Sequence, residues 1–259
     1  MGRLGLLNRL ANAVAAYNPA TLFSGGQQGA WYDPSDFSTM FQDVAGTVPV
    51  TATGQAVARI NDKSGRGNHA TQATAPARPI LRIDAAGKYY LEFDGFDDFL
   101  QTTSDVITAA TSMYACFGAK WTGAGSIDIG TYAAIGSATP LHSFSHFGSG
   151  VSYLIYSDAF GDKNASVAQQ TTINKHVATF GAVIGSTLSL RFNQASITVN
   201  QTTPVAARTA SSGLRIGARE GTGYFLNGAL YSVIFVGTVL SAAEISSTEG
   251  YVNSKTGAF

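Results

Sequence analysis

The chain has 259 residues, 45% of them hydrophobic and only 12% charged, about half the charged share of an ordinary soluble domain. Sixteen Lys and Arg balance sixteen Asp and Glu, which removes the electrostatic basis for binding nucleic acid or an anionic membrane surface. A chain of this length buries roughly 70% of its exposable surface without help from disulfides or metals. The single cysteine, Cys116, excludes a disulfide framework or a cysteine zinc site and reads as a small buried hydrophobe.

Twenty-nine glycines among many Ser, Thr, Asn and Gln residues predict tight turns and short strands rather than a helical bundle. No stretch approaches the roughly 18 continuous apolar residues of a membrane span, which argues against membrane insertion. The Leu-rich start has the look of a secretion leader, but Asn8, Arg9 and Asn12 interrupt it. Leu7, Leu10, Val14 and Tyr17 recur instead at steps of three and four, one stripe of an amphipathic helix within residues 1–20. Such a stripe must lie on the protein's own core or on a partner. Asn18-Pro19 ends that helix, and Ser24-Gly25-Gly26 makes a loop.

Asp33-Pro34 predicts a second short helix, with Asp33 as cap and Phe37, Met40 and Phe41 as its apolar face, running out at Gly46. From Val48 to Ile60 the residues turn β-type around Thr53-Gly54, and a polar loop follows from Asp62 to His69. Beyond residue 88 the period is two: Tyr89, Leu91 and Phe93 on one face, Tyr90, Glu92 and Asp94 on the other. Further strands are predicted over 112–121, 133–136, 152–156, 176–184, 187–192, 197–200, 214–216 and 224–236, at a spacing typical of sandwiches. The chain closes on a helix: Ser241 caps, Glu244 completes a capping box, Leu240 and Ile245 stand at staple spacing, and Gly257 stops it.

At the turn Phe93-Asp94-Gly95-Phe96-Asp97-Asp98 the strand must stop and restart, and short acids can accept hydrogen bonds from the turn's own amides. The turn is the reading that spacing favours, though Asp94, Asp97 and Asp98 could also gather oxygen ligands for calcium. Glu92 and Asp94 share a strand face as the acids of sugar-cleaving sandwich enzymes do, but Gly95 breaks the alternation before Asp97, which argues against catalysis. His69, His142, His146 and His176 lack zinc spacing, and no phosphate loop or nucleophile elbow is present, so no cofactor is expected. Trp121, Tyr132, His142, His146, Tyr153 and Tyr156 are aromatic candidates for sugar contact or for core.

Two signatures, Asp62-x-Ser64-Gly65-x-Gly67-Asn68 and Leu91-x-Phe93-Asp94-Gly95-x-Asp97-Asp98-x-Leu100, resemble the opening of laminin-G-like, concanavalin-A-like jelly rolls. Leu214-x-Ile216-Gly217, Phe225 to Leu230 and Leu240-Ser241-x-x-Glu244-Ile245 are similar to that family's last strands and terminal helix. The resemblance implies an all-β antiparallel sandwich over residues 55–259, preceded by the helix of 1–20 and a segment, 21–54, holding the second short helix. Leu22 to Asp36 with Phe41-Gln42-Asp43 resembles the front end of tailed-bacteriophage structural proteins. That implies an attachment segment, docked to other virion proteins through Leu7, Leu10, Val14 and Tyr17, and a lectin-like domain facing outward. The expected localisation is the virion, assembled in the cytoplasm of the bacterial host, with a homo-oligomer and a host surface glycan as partners. The alternative is a capsid-decorating or tail-stabilising protein that binds no glycan.

Overall fold

The computed structural model describes residues 17–107, 112–122, 129–135, 142–147, 151–158, 161–166, 175–186, 188–197, 199–200, 213–218 and 225–259, and within 129–166 and at 197, 199 and 200 the path of the backbone. The strands are β1 (Gly29–Tyr32), β2 (Met40–Phe41), β3 (Arg59–Ile60), β4 (Ala70–Thr71), β5 (Ile80–Ile83), β6 (Tyr89–Asp94), β7 (Leu100–Thr102), β8 (Met113–Trp121) and β9 (Ile129–Ile135). They continue as β10 (His142–Phe147), β11 (Val151–Asp158), β12 (Gly161–Ser166), β13 (Lys175–Ala182), β14 (Leu188–Phe192), β15 (Ala195–Ile197), β16 (Val199–Asn200), β17 (Leu214–Ile216) and β18 (Asn227–Val236), followed by the helix α1 (Ala242–Thr256).

Two antiparallel sheets result. One runs β15-β14-β13-β8-β18-β6-β5, with β1 also paired to β18; the other runs β16-β12-β11-β10-β9-β17-β7-β4-β3-β2. The expected all-β sandwich with a C-terminal helix is therefore what the chain forms. Alternation decides which residues fill it. Leu91 and Phe93 of β6, Ala115, Phe117 and Ala119 of β8, Phe180 of β13 and Leu230 of β18 meet Ile60, Leu100, Leu214 and Ile216 of the facing sheet in one buried cluster. The predicted C-terminal helix is present in detail. Ser241 and Glu244 form the capping box, and Gly257 closes the helix at φ 65°, in the left-handed region where glycine carries no Cβ penalty.

The front of the chain differs from its expectation. Residues 33–41 hold only a three-residue 3-10 turn, Phe37–Thr39, before β2. The Asp33 carboxylate, 2% exposed, accepts from the Ser35 amide and hydroxyl instead of capping a helix, and the run before it is buried on both faces as β1. Such a run is a strand between two covered layers, so residues 21–54 contribute strands to both sheets and the sandwich begins before residue 55. Asn18 caps a 3-10 helix over Pro19–Phe23. The stripe residues Leu7, Leu10 and Val14 lie outside the described residues; Tyr17, the last of the stripe, shares a 2.8 Å hydrogen bond with Thr248 of α1.

The first of the two signatures is the latch for β1. Asp62, buried, accepts from the Trp31 and Ser64 amides through Oδ1 and from the Ser64 hydroxyl and Asn68 amide through Oδ2. Asn68 in turn donates from Nδ2 to the Gly29 carbonyl at 2.7 Å, and Arg66 donates to the Phe23 carbonyl. The polar loop of 62–69 thus holds the front strand by its backbone groups, which a buried strand must have satisfied. Among the described residues no helix is long and apolar enough to cross a membrane.

Candidate functional site

The outer face of the β13-β8-β18-β6-β5 sheet is divided. Helix α1 packs over β13, β8 and β18, and its Val252, with Leu240 just ahead of the helix, covers Cys116, Val177, Ile234 and Val236. Gly118 lies directly beneath the helix: a Cβ there would lie 2.2 Å from Cγ2 of Thr256. Two residues further along β8, on the same face, stands Lys120, and there the cover has ended. The uncovered part is a groove of about 510 Å³.

Strand register lays out its floor. On the row Lys175↔Lys120, Lys120↔Ala229 and Ala229↔Glu92, and then Glu92↔Ile80, successive strands place these residues side by side. Ala229, 3% exposed, is the low point, with Lys120 and Glu92 on its flanks roughly 10 Å apart, two strand spacings. Toward α1 the next residues on the face are Tyr231 and Tyr90, whose rings lie 5.2 Å apart. Tyr231 is buried beneath, and its hydroxyl donates to Asp84 Oδ2 at 3.2 Å. Lys175 pairs with the same Asp84 oxygen at 2.6 Å. Burial first, then the Asp84 charge, holds the Tyr231 hydroxyl far above its ordinary range.

At the other end Asn227 is paired with Asp94 in register, and Thr122 donates to Asn227 Oδ1 at 3.0 Å. The turn 94–98 closes this end. Asp94 Oδ1 accepts from the Phe96 amide at 2.8 Å, and Asp98 Oδ2 accepts from the Asp94 amide at 3.1 Å. Gly95 sits at φ +84°, and a Cβ there would come 2.8 Å from Cβ of Asn227, so this turn has both a conformational and a packing reason for glycine. Phe96 projects from it 80% exposed.

The predicted acids Asp94, Asp97 and Asp98 do come together, with one oxygen of each within 4.8 Å of the others. Two of them are engaged by turn amides, Asp94 by that of Phe96 and Asp98 by that of Asp94. Asp98 is pushed up to about 6, by burial first and then by the Asp94 charge, against the pull of the Asp94 amide. Glu92, on the outer face as its alternation predicts, pairs with Arg82 at 2.7 Å and is half exposed.

The other candidates are placed as follows. Trp121 packs against the inner core, while the side chains of Tyr132, His142, His146, Tyr153 and Tyr156 lie outside the described residues. His176 is buried and stacked on Phe192 at 4.9 Å, and His69 accepts at Nδ1 from the Asp62 amide at 3.1 Å. Cys116 is free and buried, its thiol pushed up to about 12 by burial against a hydrogen bond from Thr179. The groove itself was absent from the sequence reading. The small residues Gly228-Ala229 open a long apolar strand, but only register sets Ala229 beside Lys120.

No protein-family model matches the chain, and no curated protein matches it by sequence. Solved structures match it by fold. Domain 4 of AbnA, a GH43 extracellular arabinanase from Geobacillus stearothermophilus, in complex with arabinotriose, superposes with TM-score 0.58 at 11% identity over 86% of this chain and 98% of that one. The binding domain of botulinum neurotoxin DC, in complex with rat synaptotagmin II, gives 0.56 at 9% identity over 74% of this chain and 49% of that one. A botulinum neurotoxin type C structure, whose cell entry depends on interaction with two ganglioside molecules, gives 0.54 at 9% identity over 74% and 48%. This chain spans about half the length of the toxin chains and nearly all of the arabinanase domain. At such identities the likeness is one of fold alone: an antiparallel β-sandwich.

Proposed function

We propose that this chain is a glycan-binding β-sandwich carried on a tailed-bacteriophage virion, a tail or fibre-like component that contacts host surface sugars through the groove over Ala229. The observation that carries the reading is the groove itself. It is a concave site of ligand size, with an aromatic ring, Tyr90, on one side and convergent polar groups, Glu92, Asn227 and Lys120, on the others. Sugars are recognised by that combination of an apolar ring face and placed hydrogen-bonding groups. The fold's occurrence in a domain solved with arabinotriose supports the same reading. The engagement of Glu92 by Arg82 supports binding rather than hydrolysis.

The virion assignment rests on the front-end resemblance of residues 22–43 to phage structural proteins. Chromatography on immobilised host lipopolysaccharide tests the glycan reading: the native chain is retained and Tyr90→Ala is not. A chain that flows through every glycan column, yet whose deletion lowers the heat stability of particles, is instead a decorating protein. Gold labelling of intact particles with antibody to this chain tests the virion reading, and unlabelled particles overturn it.

A further inference from the structure

Resting on the glycan reading of the groove, we infer that its ligand is an acidic saccharide, whose carboxylate is held against Lys120. Four cations line the groove, and three are engaged. Arg78 donates to the backbone carbonyls of Gln72, Gln42 and Ala73 at 3.0, 3.3 and 2.9 Å. Arg82 is paired with Glu92, and Lys175 with Asp84, the latter ammonium also lying 5.3 Å from the Tyr231 ring centre. Lys120 alone has neither carboxylate, acceptor nor ring as partner among the described residues.

Register makes its position more pointed. Lys120 is directly opposed to Lys175 across β8 and β13, and like charges in opposed positions of a sheet destabilise one another. Asp84 neutralises Lys175; nothing in the described residues does so for Lys120. An anion laid on the floor at Ala229 would meet that ammonium and leave the ring beside Tyr90. The remaining hydroxyls would then face Glu92, Asp94 and Asn227, which accept and donate at the far edge. A neutral sugar leaves Lys120 unmatched, and an amino sugar placed the same way opposes it.

Uronic and sialic acids share this carboxylate, so the experiment carries both. Glucuronate, N-acetylneuraminate and glucose are titrated into the full chain and into Lys120→Gln, with binding read from amide chemical shifts at Lys120, Ala229 and Glu92. At least one acid is expected to bind about tenfold more tightly than glucose, the gain of one charge-assisted contact, and raised salt is expected to erode that margin. Lys120→Gln removes the preference, bringing the affinity for the acids down to that for glucose. Glucose bound as tightly as both acids, or a preference that survives Lys120→Gln, overturns the inference while the glycan reading stands. Groove resonances that respond to no saccharide, in a chain that also passes every glycan column, overturn the glycan reading and the inference together.

Discussion

The two halves of one sheet face differ by two residues on one strand. Under α1, β8 presents Tyr114, Cys116 and then Gly118, a site with no room for a side chain against Thr256; beyond it the same face presents Lys120. The covered half is largely apolar, and Glu249 of α1, 1% exposed, forms a two-pronged pair with Arg191 at 2.7 and 3.1 Å. The open half carries ion pairs that are partly wet. A sheet face of this kind shows which part is covered by where its residues shrink, and which stays open by where charges begin.

The largest expected effect lies in the latch that holds β1 against the covered half. Asp62→Ala leaves the Trp31, Ser64 and Asn68 amides without their acceptor, and urea unfolding should show a loss of about 3 kcal/mol or more. Next comes the seam. Gly118→Val forces α1 away from β8, at about 1–3 kcal/mol, whereas Lys120→Gln, one step along the same face, should stay within about 0.5 kcal/mol. Equal midpoints for the two would dissolve the contrast between covered and open halves.

Acid separates two aspartates by sign. Burial would raise Asp33, but hydrogen bonds from Ser35 and Tyr251 and the charges of Lys255 and Lys63 outweigh it and hold the carboxyl below its ordinary value. A depressed carboxyl contributes stability above its unfolded value and loses it as pH falls through the folded one. Asp33→Asn should therefore flatten the acid limb of a stability profile. Asp98, raised to about 6, acts in the opposite sense: its contribution is full at low pH and is lost as pH rises through about 6. Asp98→Asn, which keeps an acceptor for the Asp94 amide, should raise the melting point at pH 7 by about 2–4 °C, equivalent to about 1 kcal/mol. Tyr90→Ala should cost no more than about 1 kcal/mol by the same scan, since the ring lies on the open half.

Much of this was legible because it is local. The capping box at Ser241, the stop at Gly257 and the alternation of Leu91 and Phe93 are set by neighbours a few residues away, and each appears where the pattern places it. The strands at 113–121, 188–192 and 214–216 lie within a residue of their predicted bounds. Asp33-Pro34-Ser35 misled because a cap and an Asx turn begin with the same hydrogen bond, and only the distant β18 decides that β1 precedes it. The groove was illegible for a related reason. Ala229, Lys120 and Glu92 become neighbours only through strand register, which no single stretch of chain records.

The pairing of β1 with β18 joins groups 200 residues apart in the chain, as when Ser232 donates to the Tyr32 carbonyl. Closing so long a loop is slow, and a ribosome adding about 5–20 residues per second exposes Trp31 and Tyr32 for many seconds before Val233 and Ile234 are made. The apolar front strand must therefore wait unpaired during synthesis. Its early capture by the Asp62 loop, only some thirty positions downstream, gives it a nearby holder, so that the last strand arrives at an edge already shaped to receive it.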